Sequence, residues 1–429
     1  MDTKKFLMIS THYPPYHLGG DAVFVDYLSR ELVARGHEVH VYFNPAAYEL
    51  LRGQNLAVQP KPDIGPHVHP YSSATGRMDP FVALSLGLWG RPQKRLEELI
   101  RTTKPDVVHW HNPRGFVGRP FAVPGSVTLY TTHDYTPVCP RSNLLKPDMR
   151  LCDEARLCAL CCMRWRKPPQ LWRIGRRRVF RFPQDLKVIS PSEFVARRLE
   201  AEGVAVHKVL RCFVPDLGKH FHREGSTDDT IFYLGLLEMH KGVHTLLDAF
   251  AKSSHEQGFK LHIVGEGTLK ESLRNKVAGL GLSERISIPG FLGRTEVETV
   301  RRNAVVQVVP SVWYENAPSV VLEAFSLGIP VIASDIGGLP ELVTAESGSR
   351  TFRPGDSNEL AELLISAWRE RGNLGEWRRQ ARETYLSRFR PEIHMAAYLQ
   401  MIEELQAGQR RERNPLKRTS YAATTSSHP

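Results

Sequence analysis

Glu315 and Glu323 are the residues whose setting most clearly allows chemistry, because they bracket Asn316-Ala-Pro-Ser-Val-Val321. Glu315 follows the apolar run Val305–Val309, which reads as a buried strand. Glu323 falls inside a helix that should begin near Pro318–Ser319, since Pro is tolerated in a first helical turn and Ser can cap one. A strand end, a short loop and a helix start together present unpaired backbone N–H groups and a positive dipole end. Such a corner suits an anionic ligand, with one carboxylate on each side to accept hydroxyl hydrogen bonds.

Other residues could complete this corner. Gly19-Gly20 lies between the first strand and the first helix, where glycine lets a backbone approach a phosphate. Lys241-Gly242 opens the first helix of the second half, and a lysine there can neutralise a diphosphate as a point charge. His133-Asp134 ends the strand Val127–Thr132, at the carboxyl edge where open α/β sheets bind ligands. Gly265-Glu-Gly267 also follows a strand, but the pair alone carries little information. No Asp-x-Asp occurs, so a metal-bridged diphosphate, and with it a catalytic metal, is not expected.

The elements that must position these residues alternate strand and helix through both halves, the pattern of parallel sheets covered on two faces. Strands are expected at Lys5–Ser10, Val39–Phe43, Val107–Trp110, Val127–Thr132 and Leu186–Ser190. They resume after a polar linker, His220–Asp229, at Thr230–Leu234, Lys260–Val264, Ile286–Ile288, Val305–Val309 and Val331–Ala333. Helices are expected over Ala22–Arg35, Gly242–Ala251 and Pro391–Leu405. A chain of 429 residues is too long for one core. The expected division is an N-terminal domain over 1–215, a C-terminal domain over 216–390, a C-terminal helix over 391–407 that packs back toward the first domain, and a disordered basic tail over 408–429. Two doubly wound, Rossmann-like domains facing one another leave a cleft between the carboxyl ends of their strands.

Charge is unevenly placed along the chain, whose net value is +11. Residues 1–215 hold 31 Lys and Arg against 19 Asp and Glu, whereas residues 216–407 hold 21 against 26. The first half therefore expects an anionic partner. Nucleic acid is not expected, because no zinc-finger, RNP-type or basic-zipper pattern is present. Phe6–Ile9 is too short for a signal-peptide core, and no stretch, Pro80–Leu88 included, approaches a membrane span. The expected address is the cytoplasm, with a peripheral place on the inner membrane face.

Several motifs occur in one order and spacing. They are Phe-Tyr-Leu-Gly-Leu-Leu-Glu-Met-His-Lys-Gly (232–242), Ile-Val-Gly-Glu-Gly (263–267), Pro-Gly-Phe-Leu (289–292), the stretch around Glu315 and Glu323, and Gly328-Ile-Pro-Val-Ile-Ala-Ser-Asp-Ile-Gly-Gly-Leu-Pro-Glu (328–341). Together they closely resemble glycosyltransferase family 4, the retaining sugar-nucleotide transferases of GT-B fold. Tyr13-Pro-Pro, Gly36-His-Glu-Val, Pro105-Asp-Val-Val-His and Thr132-His-Asp extend the resemblance over about residues 5–405.

The resemblance implies roles for matching residues. Glu323 would hold the donor ribose, and Glu315 the transferred sugar. Backbone N–H groups around Asn316, Ala317, Ser319, Val320 and Val321, in the turn that Pro318 shapes, would hold sugar and diphosphate. Lys241 would balance the leaving diphosphate, beside the turn at Gly235, while Gly19 and Gly20 would let it approach the first domain. His133 would touch the sugar near its reacting carbon, and Phe291 and Leu292 would line the base. No protein nucleophile is implied. One position departs from the family: Leu236 stands where members often carry Arg beside Lys241. A smaller departure is Arg211-Cys-Phe-Val-Pro-Asp, where Asn-Gly is usual.

Five of the six cysteines lie within Cys139–Cys162. Cys139, Cys152, Cys158 and Cys161 are spaced to hold a structural zinc beside the His133 loop. Residues 155–184 hold nine Arg and Lys and no acid, with Trp165, Trp172, Phe180 and Phe182 interleaved. That mixture suits an anionic membrane surface or a lipid-diphosphate acceptor. The reading is a retaining glycosyltransferase that moves a hexose-type unit from a nucleotide sugar to a glycan or lipid-linked acceptor. Its rivals are another GT-B enzyme and a non-catalytic glycan-binding scaffold, for which Leu236 is the argument.

Overall fold

The computed structural model describes residues 2–16, 19–45, 48, 65–70, 85–87, 91–112, 119–152, 158–165, 169–173, 179–220, 227–256 and 258–413. Parts of the Pro80–Leu88 run, the His220–Asp229 linker and the basic segment, and all of 414–429, lie outside these residues.

The first sheet is built from β1 (Lys5–Ser10), β2 (Glu38–Phe43), β3 (His67–Pro70), β4 (Val107–Asn112), β5 (Val127–Thr131), β6 (Leu186–Ser190) and β7 (Lys208–Val209). Its order is β3-β2-β1-β4-β5-β6-β7, and every pairing is parallel. The second sheet contains β8 (Thr230–Leu234), β9 (Lys260–Val264), β10 (Ile286–Gly290), β11 (Ala304–Val309), β12 (Val331–Ser334) and β13 (Arg350–Phe352). Its order is β10-β9-β8-β11-β12-β13, again all parallel. This is the two-sheet GT-B architecture. The central strands read as unbroken apolar runs because helices cover both faces: Phe6 to Ile9 and Val305 to Val309 are buried throughout. Strands β3, β7 and β13 were not expected, since each is short and at least half polar.

The covering helices are α1 (Gly20–Ala34), α2 (Arg91–Thr103), α3 (Cys158–Arg164), α4 (Glu193–Glu200), α5 (Val243–Lys252), α6 (Lys270–Gly279), α7 (Arg294–Arg302), α8 (Ser319–Ser326), α9 (Leu339–Leu342), α10 (Ser357–Arg369), α11 (Leu374–Arg388) and α12 (Pro391–Arg413). Helix α1 buries Phe24, Val25, Leu28 and Leu32 against the first sheet. Helix α12 follows the second-sheet residues yet buries Met395, Tyr398, Leu399, Met401 and Ile402 in the first-sheet core. Its His394 Nδ1 lies 2.8 Å from the Arg211 carbonyl. Helix α12 also runs to Arg413, past the Gly408 at which the sequence expected disorder to begin. One glycine costs a helix only about 1 kcal/mol, and Gln409, Arg410, Arg411 and Glu412 are good or neutral helix formers.

Two polar contacts join the domains near the cleft. The Glu341 carboxylate accepts the N–H groups of Phe194 at 2.6 Å and Glu193 at 2.9 Å, at the start of α4. Asn316 Nδ2 donates to the His133 carbonyl at 2.7 Å.

Candidate active site

The site starts at a glycine. Gly242 sits at φ +67°, and a Cβ there would lie 1.8 Å from the Pro310 carbonyl oxygen. Only glycine fits, so the start of α5 presses against the end of β11 and Lys241 is pinned beside the Ser311–Glu315 loop. Lys241 Nζ donates to Glu315 Oε1 at 2.7 Å. The same oxygen accepts from Ser311 Oγ at 2.6 Å and from Trp313 Nε1 at 2.7 Å. Lys241 also stands 4.7 Å from the Trp313 ring centroid. Burial by itself pushes the Glu315 carboxyl up, but the Lys241 charge and these donors outweigh it and hold it below the usual range. Glu315 is 5% exposed. It is therefore an ion fixed in place by its neighbours.

Glu323 is held differently. Its Oε2 accepts from Arg301 Nη2 at 3.1 Å, and Ser319 Oγ reaches Oε1 at 3.4 Å. Arg301 is 3% exposed and lies 5.5 Å from the Phe232 ring, so it orients Glu323 from behind. Helix α8 starts at Ser319 with Pro318 as its N-cap and no side-chain cap bond, so Ser319 does not cap. Val321 N–H bonds to the Pro318 carbonyl at 3.1 Å and its side chain is fully buried. Val321 thus anchors the helix and is not an open donor, whereas the first-turn N–H groups ahead of it face the loop. Gln307 Nε2 braces the same turn through the Val320 carbonyl at 2.8 Å.

The first domain meets this turn. A Cβ on Gly20 would stand 3.1 Å from Ser319 Oγ, so the N-termini of α1 and α8 abut across the cleft. Gly19, the α1 N-cap, has extended backbone at φ −152°. Within the second domain Gly338 packs on the same loop, because a Cβ there would meet the Asn316 carbonyl oxygen at 1.9 Å. His133 completes the cleft. Its Nε2 lies 3.0 Å from His111 Nδ1, and its ring packs 5.6 Å from Phe24. Burial pushes its pKa down, against a smaller upward pull from Asp21 and Asp134.

Comparison with known proteins places the chain in a family. The sequence profile described as Glycosyltransferase Family 4 matches residues 18–211, and the one described as Glycosyl transferases group 1 matches residues 219–384. The chain belongs to glycosyltransferase family 4. It is 25% identical over 388 residues to the uncharacterized glycosyltransferase MJ1607 of Methanocaldococcus jannaschii, covering 85% of this chain and 90% of that one. Its fold is similar to that of sucrose-phosphate synthase from Thermosynechococcus elongatus, with a TM-score of 0.70, 20% identity, and coverage of 94% and 100%. It also resembles Alr3699/HepE of Anabaena in complex with UDP-glucose, with a TM-score of 0.62, 18% identity, and coverage of 94% and 100%.

In this GT-B glycosyltransferase the other expected residues sit on the turns after β8 and β10. Phe291 is 79% exposed, and its N–H donates to Glu266 Oε1 at 3.0 Å; that carboxylate also accepts from Lys270 at 2.8 Å. Leu292, like Ala317 and Val320, packs against the core that includes Val321 and Phe325. Gly235 N–H bonds the Val264 carbonyl at 3.1 Å, joining the β8 turn to the Gly265 turn. Leu236 is 37% exposed, and its carbonyl accepts the Tyr233 hydroxyl at 2.8 Å.

Cys139, Cys152, Cys158 and Cys161, with Cys162, line one cavity of about 250 Å³ beside Arg141, Lys146, Arg150 and Arg164. All are free thiols, and among the described residues no three His, Cys, Asp or Glu side chains are arranged to hold a metal. Arg141 from this cavity stacks 3.7 Å from the Trp165 ring.

Sequence reasoning missed Ser311, Arg301 and His111. Ser311 lies just ahead of the Trp313 motif but looks like any residue after a strand, and Arg301 reaches Glu323 from α7, 22 residues away in sequence. His111 carried a weak signal, being an imidazole at the carboxyl end of a strand.

Proposed function

We propose that this glycosyltransferase moves a hexose-type sugar from a nucleotide-sugar donor to a glycan or lipid-linked acceptor, with retention at the anomeric carbon. The observation that carries the reading is the meeting of two helix N-termini at Gly20 and Ser319, with Lys241 beside them. A nucleoside diphosphate gains negative charge as the sugar leaves. Fixed N–H dipoles and an ammonium group stabilise that charge more in the transition state than in the ground state. Glu323 accepts hydroxyl hydrogen bonds of the ribose, and Phe291 offers a face to the base. Glu315 accepts from the sugar and keeps Lys241 aimed. The binding of UDP-glucose by the Anabaena relative supports a nucleotide sugar as donor.

The acceptor side rests on charge. The first domain is the basic one, which suits a phosphorylated or lipid-linked glycan at an anionic membrane surface. No helix among the described residues is long and apolar enough to cross a membrane. A structural Zn²⁺ on Cys139, Cys152, Cys158 and Cys161 would require these thiols to swing into their shared cavity. Equimolar zinc in reduced protein would support it, and zinc-free protein of full stability would remove it.

A panel of nucleotide sugars read by thermal shift tests the donor. A donor at 100 times its Kd stabilises the fold by about 2.7 kcal/mol. NMR of the product's anomeric proton tests retention, and inversion would overturn it. If no nucleotide sugar binds, the scaffold reading, which Leu236 favours, replaces this one.

A further inference from the structure

Behind the cleft lies a group of imidazoles that the proposed reaction does not use. His109, His111 and His394 are buried, and Tyr398 of α12 packs among them. His109 has both ring nitrogens engaged, Nδ1 with the Tyr398 hydroxyl at 2.8 Å and Nε2 with Thr131 Oγ1 at 2.7 Å. It therefore has no nitrogen left for His111, whose ring centroid is 4.0 Å away. His109 and Tyr398 act as a wall that fixes the His111 ring. His111 Nδ1 faces His133 Nε2 at 3.0 Å with the rings stacked at 5.3 Å, and His111 Nε2 is buried with no hydrogen-bond partner among the described residues.

We propose that His111 is a positioning residue that sets the tautomer of His133, so that His133 carries its proton on Nδ1 and offers that N–H to the donor sugar. A single proton occupies the line between the two rings. If His133 Nε2 supplied it, a neutral His111 would carry its own proton on Nε2, as a buried N–H without an acceptor. If His111 Nδ1 supplies it, only a lone pair is left unpaired at Nε2. Orphaned buried N–H groups are the rarer case in folded proteins. With Nε2 of His133 accepting from His111, Nδ1 is its remaining ring nitrogen and must be protonated in the neutral ring. His133 is then a hydrogen-bond donor to a sugar oxygen and not a base.

The inference rests on the proposed role of His133 in the donor site, but its first test does not. Long-range proton–nitrogen NMR correlations on histidine-labelled protein report which nitrogen carries the proton. The expected result is His133 protonated at Nδ1 in the free wild-type protein, and a proton at Nε2 would overturn the proposal whether or not any donor binds. In His111→Leu the tautomer should become mixed, while His111→Asn, whose amide N–H can stand where Nδ1–H stood, should keep it. With a nucleotide sugar that the wild type uses, His111→Leu should lower kcat by about 100-fold with donor KM little changed, as expected for a misplaced contact group. His111→Asn should restore most of it. A folded His111→Leu protein with unchanged tautomer and unchanged kcat would refute the assignment. Loss of kcat in both variants alike would reduce His111 to a packing residue and refute it too.

Discussion

The two walls of the cleft are held by opposite electrostatic means. On the second-domain wall two carboxylates are each tied to a cation, Glu315 to Lys241 and Glu323 to Arg301, and the Lys241 charge helps hold Glu315 ionised. On the first-domain wall, burial drives the pKa values of His109, His111, His133 and His394 down, so the imidazoles are neutral. A diphosphate would thus meet fixed charge on one side and neutral N–H donors on the other. The difference teaches that the second wall can stabilise developing charge, while the first can orient a neutral sugar without adding a competing cation.

The largest expected effect comes from breaking the charged wall. Lys241→Ala leaves Glu315 buried and unpaired, which should cost about 3–5 kcal/mol of stability. It should also lower kcat by about 10²–10³-fold through loss of the cation facing the diphosphate. Denaturant unfolding and transfer assays check the two parts separately.

Acid should expose the neutral wall first. The folded pKa values of these histidines lie below the ordinary value, so their stabilisation is present above about pH 6.5 and is lost as the unfolded chain takes up protons below it. The loss from His394 continues until that ring titrates near 4 and amounts to about 3 kcal/mol. Glu315 has a depressed pKa, so its contribution persists until the pH falls below about 4.3. Unfolding free energies measured from pH 7 to 4 should decline ahead of any loss of the carboxylates. A flat profile down to pH 5 would contradict neutral buried imidazoles.

Two smaller effects sharpen the comparison. Glu323→Gln keeps the shape but removes the charge, and should weaken donor binding by about 10- to 100-fold, the worth of a charge-assisted hydrogen bond. Calorimetry with the preferred donor reads this directly. Leu236→Arg adds to the charged wall the cation that family members often carry, and should raise kcat by up to about tenfold. A fall in kcat would mean that this cleft already has its full positive charge.

Legibility in the sequence followed chain distance. The second wall was readable because Trp313–Glu341 carries a strand end, a loop, a helix start and the Gly337-Gly338 pair that packs on the loop. Local chemistry fixed each of these. The partners of the carboxylates were not readable: Arg301 reaches Glu323 from α7, and Ser311 looked like any residue after a strand. The first wall was less legible still. His133 stood out in its motif, but His109, though it closes the Pro105-Asp-Val-Val-His stretch, carried no role, His111 lay just past the expected strand, and Tyr398 lies almost three hundred residues from His109.

By itself the sequence determined the two parallel sheets and the family, because apolar periodicity, glycine placement and motif order are local properties of the chain. Tertiary structure decided the rest. It brought Gly20 against Ser319, joined Lys241 to Glu315, placed Arg301 behind Glu323 and lodged α12 under the histidines. It also carried α12 on to Arg413, where composition alone pointed to a disordered tail. The physical reason is common to all of these: which charge meets which, and which imidazole loses its water, depends on distances that exist only after both sheets have packed.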